Sequence, residues 1–183
     1  ERIKNPAFDY PIISTNLNYL KNVKKNLKAS KIKQYLIILE PAKRNTAPAI
    51  LSSALMHEIP NEQPIMFFAS DHLIEKSNFL IKSIKKNISN LTSENIFIFG
   101  IKPTNSSNEY GYFITRKKSK KINEVIKFIE KPNNKKAKLI IKKGGYWNSG
   151  MLLMRKDSII NNFKKYQPAI YNNCLKSVNK AKR

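Results

Sequence analysis

The sequence predicts an α/β fold, mainly a parallel sheet with a mixed second half. Three observations carry that prediction. Continuous apolar runs begin at Tyr35, Ile65 and Ile96, about thirty residues apart, which is the span of a βαβ unit. The stretches between them place apolar residues at three-to-four spacing, the period of a helix that buries one face. After Gly100 the rhythm changes to strand, lysine-rich turn and strand, which reads as an antiparallel excursion.

Each element follows from its own residues. A short strand over residues 11–14 leads into a helix marked by Leu17, Leu20, Val23 and Leu27. Tyr35-Leu36-Ile37-Ile38-Leu39 then forms an unbroken apolar run ending at Glu40-Pro41, as expected of a strand buried on both faces. Ile50, Leu51, Ala54 and Leu55 mark the next helix. Ile65-Met66-Phe67-Phe68-Ala69 ends at Ser70-Asp71, and Leu80, Ile81, Ile84 and Ile88 mark the helix after it. Ile96-Phe97-Ile98-Phe99 ends at Gly100. Residues 112–115 and 125–129 read as strands joined by a turn at 117–121, a polar stretch at 132–138 starts a short helix, residues 146–154 form a strand, and residues 170–183 form a basic helix. No internal repeat is present.

The 183 residues make one domain, with enough chain for a core and too little for two. Hydrophobic residues are 41% and aromatics 10%, too many for a disordered chain. No apolar run is long enough to span a membrane. The residues that follow Glu1 lack the apolar centre of a secretory signal, and a first residue other than methionine predicts a processed or incomplete chain. Cys174 is the single cysteine and has no internal partner for a disulfide, which favours a reducing compartment and hence the cytoplasm.

A net charge of +23, from 35 Lys and Arg against 12 Asp and Glu, invites a nucleic-acid reading. The composition argues against it. Only Arg2, Arg44, Arg116, Arg155 and Arg183 carry the guanidinium fork that reads phosphates and base edges. The rest of the excess is lysine, accompanied by abundant Asn and Ile, residues that share A- and T-rich codons. The lysines are also spread along the chain rather than gathered. They are read as solvated faces, and neither nucleic acid nor a membrane is expected as a partner.

Ligands of open parallel sheets bind beyond the carboxyl ends of the strands, where helix N-termini point inward. Glu40, Asp71, Glu130 and Lys131 all fall at such ends, and four polar groups are expected on one rim. Glu40, an acceptor when ionised, complements the paired N–H donors of a guanine edge; the alternative is that it merely ends a strand. Asn45 or Thr46 can cap a helix that tolerates Pro48 in its first turn. Asp71 suits either a helix cap or a magnesium ligand. His72 beside it is either an orienting neighbour or a packed side chain. Glu130 suits sugar hydroxyls and Lys131 a sugar phosphate. Trp147-Asn148-Ser149-Gly150 adds an amide that donates and accepts next to a glycine; a tight turn around a buried tryptophan is the competing reading.

These segments also carry a resemblance. Leu39-Glu40-Pro41, Arg44-Asn45-Thr46-Ala47-Pro48-Ala49, Asp71-His72, Gly100-Ile101-Lys102-Pro103-Thr104, Tyr110-Gly111-Tyr112, Phe128-Ile129-Glu130-Lys131-Pro132 and Tyr146-Trp147-Asn148-Ser149-Gly150-Met151 come in the order and spacing of the mannose-1-phosphate guanylyltransferases, over essentially the whole chain. The resemblance implies a Rossmann-like nucleotide-diphospho-sugar transferase domain. It also implies transfer of GMP from GTP to mannose 1-phosphate, with Mg²⁺ as cofactor, giving GDP-mannose and pyrophosphate. By that resemblance Glu40, Asn45, Thr46 and Ala47 hold the nucleotide, Asp71 the metal, Gly111, Glu130 and Asn148 the mannose, and Lys131 the sugar phosphate. Lys131 and Asp71 would be the catalytic pair.

Departures from the pattern matter too. The family's glycine-rich triphosphate loop has no counterpart, since the five glycines include none before Gly100. Its place would lie upstream of Glu1, and a later metal-binding aspartate would lie beyond Arg183. The domain is therefore expected to be incomplete at both ends and inactive, or nearly so, as 183 residues. A sheet edge left open in this way also invites homo-oligomerisation. A His-Arg pair usual in the family is replaced around Tyr19, and Ser70 stands where a small apolar residue is common. A non-catalytic GDP-sugar-binding remnant is the alternative reading, with a basic nucleic-acid-binding protein behind it.

Overall fold

The computed structural model describes residues 2–42, 44–117 and 122–181. Seven strands and six helices follow in the order β1 (Ile12–Asn16), α1 (Leu20–Ala29), β2 (Leu36–Glu40), α2 (Thr46–Ala54), β3 (Pro64–Phe67), α3 (Ser77–Asn87), β4 (Phe97–Ile101), β5 (Tyr112–Lys117), β6 (Asn123–Ile129), α4 (Asn134–Lys142), β7 (Tyr146–Arg155), α5 (Lys156–Tyr166) and α6 (Pro168–Lys180). The turn expected at 117–121 lies mostly outside the described residues. The helix α5 has no counterpart among the expected elements.

The strands form two sheets. β1 and β2 pair in parallel, with Ile12 opposite Leu36 and Asn16 opposite Glu40. The second sheet is built around β7, which pairs antiparallel with β3, β4 and β5, while β6 pairs antiparallel with β5. The expectation of a mainly parallel sheet is corrected at this point. β3 and β4 do run in the same direction, but β7 is inserted between them, and its antiparallel backbone supplies their hydrogen bonds. The strands expected to be buried on both faces, β2, β3 and β4, are instead mostly half-buried, with Leu39 and Ile101 exposed. Among the described residues one sheet has only two strands and β3 lies at the edge of the other, so each of these has a side that no neighbouring strand covers.

Alternation along β7 fixes the layers. Met154 packs with Ile50, Leu51, Ala54 and Leu55 around α2 and with Ile159 and Cys174 of α5 and α6. Leu153 packs on the other side with Ile84 of α3 and Leu91. A third cluster joins Tyr112 to Ala137 and Ile140 of α4, with Trp147 against it. Helix α2 also touches β1 and β2, so one helix packs on the small sheet and on the helices that cover the large one.

The passage from β7 to α5 has no loop. Buried Lys156 donates from Nζ to the Met56 and Ile59 carbonyls at 3.0 and 2.6 Å, anchoring the segment after α2. Loss of hydration pushes its amine below the ordinary lysine range. Arg155 forks onto Asp157 at 3.1 and 2.5 Å. That bond holds the Asp157 carboxyl below its usual range, helped by the Ser158 amide.

Candidate functional site

The topology delivers several polar groups to one rim. β3 ends at Phe67 opposite Leu152 and its chain leads on from that point, while Ile101 of β4 pairs with Trp147, so β4 ends beside the start of β7. The start of β5 and the end of β6 arrive there too, with Tyr112 opposite both Trp147 and Ile129. The backbone N–H of Asn148 donates to the Gly111 carbonyl at 2.8 Å, and its side-chain oxygen accepts from the Gly150 N–H at 3.2 Å. Gly111 is buried, and a Cβ built there would stand 2.7 Å from Glu130 Oε2, 3.0 Å from Phe128 Cζ and 3.6 Å from Asn148 Cβ. Gly111, Glu130 and Asn148 are thus brought together, and the bare backbone at Gly111 makes room for the carboxylate.

His72 reaches the same rim. A Cβ on Gly150 would lie 3.7 Å from His72 Cε1, and Gly150 sits at φ +71, a conformation that glycine holds without strain. Asp71 is exposed in the loop between β3 and α3. It does not cap that helix: α3 begins at Ser77 with Lys76 in the capping position. Lys131, exposed just after β6, adopts φ 40 ahead of buried Pro132. That left-handed backbone turns the chain sharply away from the strand direction.

The segment from 105 to 111 is held down from beneath. The Tyr112 hydroxyl, fully buried, donates to the Ser107 carbonyl at 2.8 Å and accepts from the Ser107 amide at 3.0 Å. Tyr110 lies against Trp147 at 5.0 Å between ring centroids. Gly111 therefore sits between two fixed aromatic side chains.

Glu40 occupies a second place, at the end of the parallel pair. It lines an open cleft of about 240 Å³ with Ser14, Thr15, Asn16, Tyr19 and Ala42. The Ser14 hydroxyl donates to Glu40 Oε1, and Asn16 Nδ2 donates to the Glu40 carbonyl at 3.2 Å. Ser14 and Asn16 were not singled out by sequence reasoning. Polar residues at alternate positions where a strand ends were the available signal, since such residues share a face. Helix α2 begins six residues past Glu40, with Asn45 at φ 63, ψ −170 before it. Contrary to expectation, the Asn45 side chain makes no capping bond. The first amides of α2 at Thr46 and Ala47 precede Pro48, which has no N–H to give.

Asp71 offers hard carboxylate oxygens of the kind Mg²⁺ takes alongside substrate phosphates. The nitrogen of His72 suits that ion less well. No group of three or more His, Cys, Asp or Glu is gathered into a metal cage among the described residues. Asp71 is thus a single exposed carboxylate that could supply only part of such an ion's coordination.

Fold and rim together define an α/β protein with polar side chains gathered where its strands end. The chain belongs to the nucleotidyl transferase family, whose profile matches residues 1–183. The mannose-1-phosphate guanylyltransferase of Escherichia coli is 38% identical over 151 residues, 78% of this chain and 32% of that protein. The alginate biosynthesis protein AlgA of Pseudomonas fluorescens is 30% identical over 188 residues, covering 100% of this chain and 39% of the relative. The chain thus spans roughly a third of the length of these relatives. A crystal structure of mannose-6-phosphate isomerase from Helicobacter pylori superposes with a TM-score of 0.85 at 29% identity, covering 99% of this chain and 69% of that one. That likeness bears out the α/β nucleotidyltransferase fold.

Proposed function

We propose that these residues form the base-recognition and sugar-phosphate parts of a mannose-1-phosphate guanylyltransferase, which moves GMP from GTP to mannose 1-phosphate and releases pyrophosphate. The convergence of Glu130 and Asn148 on Gly111 carries this reading. A carboxylate against bare backbone, with an asparagine beside it, suits the hydroxyl pattern of a hexose. The named guanylyltransferase relative supports the choice of mannose and guanine. The lone Cys174 supports a cytoplasmic setting.

In this reading Glu40 accepts from the guanine edge, oriented by Ser14, while Asn45 and the amides of Thr46 and Ala47 bound the base. Lys131 neutralises the sugar phosphate, one oxygen of which attacks the α-phosphorus in line as pyrophosphate departs. Bound Mg²⁺, held by Asp71, would offset the charge of the phosphates during transfer. No side-chain nucleophile is required. The protein positions two anions and reduces their repulsion. With no glycine before Gly100, the triphosphate cradle is not among these residues, and the 183 residues are expected to bind without rapid turnover.

Calorimetric titration with GDP-mannose, UDP-glucose and GDP tests the reading. GDP-mannose is expected to bind more tightly than GDP, and UDP-glucose to compete poorly. Equal affinity for the uridine compound would sink the assignment of Glu40. Rapid pyrophosphate release by the 183 residues would refute the expected inactivity.

A further inference from the structure

The side chain of Phe128 is unexplained by the core. It lies on β6, at the end of the strand order, and is 49% exposed. The cluster that covers this part of the sheet lies on the opposite face, around Tyr112, Ala137 and Ile140 with Ile129 against it. Phe128 points the other way, on the same face as Glu130 two residues later. Its cross-strand partner Phe113 is buried and stacked on Tyr146 at 5.8 Å, 29° between planes. Phe128, Phe113 and Tyr146 thus form an aromatic row whose inner member is covered and whose outer member is open. Its ring tip meets the same point over Gly111 as the Glu130 carboxylate.

We infer that Phe128 is the platform for the apolar C–H face of the bound hexose, beside the carboxylate and amide that take its hydroxyls. The inference rests on the sugar-phosphate reading above and adds a contact to it. A hexose ring is amphipathic, with C–H bonds directed to its faces and hydroxyls around its rim. An open aromatic ring next to a carboxylate and an amide matches both parts. Without a ligand, half of the Phe128 side chain stays in water. Ligand binding gives that exposure a use, because burying the ring against the sugar recovers the hydrophobic contribution.

Titration with mannose 1-phosphate, and separately with GDP, followed by calorimetry and by fluorescence of Trp147, the single tryptophan, tests the inference. Phe128→Ala is expected to weaken mannose 1-phosphate about tenfold and leave GDP affinity unchanged, while Phe128→Tyr stays within about twofold of the parent. Phe128→Leu, which keeps apolar volume without an aromatic face, is expected to follow the alanine variant and guards against a folding defect in the latter. Unchanged mannose 1-phosphate affinity in both Ala and Leu variants overturns the platform and leaves the function standing. So does loss of self-association on ultracentrifugation with sugar affinity intact, which would make Phe128 an interface residue. A parent chain that binds neither mannose 1-phosphate nor glucose 1-phosphate overturns the inference and the sugar-phosphate reading together.

Discussion

Gly111 separates two roles that a single side chain can play, in folding and in binding. A methyl group there meets the tip of Glu130 and the ring of Phe128 rather than backbone, so both neighbours can swing aside. Gly111→Ala is therefore expected to shift the melting temperature little while weakening mannose 1-phosphate at least tenfold, because the carboxylate loses its place against the main chain. Thermal unfolding and calorimetry on the same sample check both halves, and parallel losses would show that the glycine serves only packing. Tyr112 behaves in the opposite way. Tyr112→Phe keeps the buried ring but leaves the Ser107 amide and carbonyl without their hydroxyl partner. It is expected to lower stability by about 1 kcal/mol, and faster hydrogen exchange across 105–111 would confirm that the hydroxyl fastens this segment. The strand-end acids were legible in the sequence because a carboxylate directly after an apolar run has few reasons to be there. Phe128 was not, since an aromatic inside a strand pattern reads as core until its exposure is known.

Helix α2 and the junction of β7 with α5 show where a local pattern fails at the level of whole elements. Asn45 holds φ 63, ψ −170, a region in which only glycine is unstrained. Asn45→Gly should relieve that strain and, after the extra chain entropy of glycine, stabilise the fold by about 1 kcal/mol. The same change should weaken GDP if the Asn45 amide touches the base. Urea unfolding and GDP titration together decide it, and a less stable variant would mean that the Asn45 side chain supports the turn. Helix α5 escaped the sequence reading for a related reason. It starts flush with β7, and its buried positions include Lys156 and Ser158, polar residues that break an apolar period. The anchor is visible only once Lys156 reaches the carbonyls of Met56 and Ile59, residues about a hundred positions away. Asp157 carries a pH signature at this junction. Its carboxyl is depressed in the fold, chiefly by Arg155. Its stabilisation is therefore fully present above the ordinary value of 3.8 and disappears as pH falls through the lower folded value. Asp157→Asn should melt below the parent at neutral pH and converge with it in strong acid; a constant gap across that range would assign the difference to packing instead.

At the scale of the whole molecule, charge and sheet order pull on different levels of legibility. The runs at 35–39, 65–69 and 96–99 announce strands from their own residues. The insertion of β7 between β3 and β4 is set by contacts between segments far apart in the chain, which no local period records. The charge is legible but its consequence is collective. Arg116 pairs with Glu124 and Arg155 with Asp157, yet 35 cationic residues against 12 anionic ones leave a field in which compaction works against self-repulsion. Screening over a Debye length of about 10 Å at 0.1 M should relieve that repulsion, so the melting temperature is expected to rise as sodium chloride goes from about 0.05 to about 0.5 M. The same field attracts anionic ligands, so mannose 1-phosphate and GDP should bind more weakly over that range. Opposite slopes for folding and binding are the signature of diffuse lysine charge acting on both. A melting temperature that stays flat would mean that the lysines already stand too far apart to repel. Retention of mixed-sequence DNA at the upper salt concentration would mean that they form a built nucleic-acid surface, because unorganised cationic charge loses phosphate contacts steeply as salt rises.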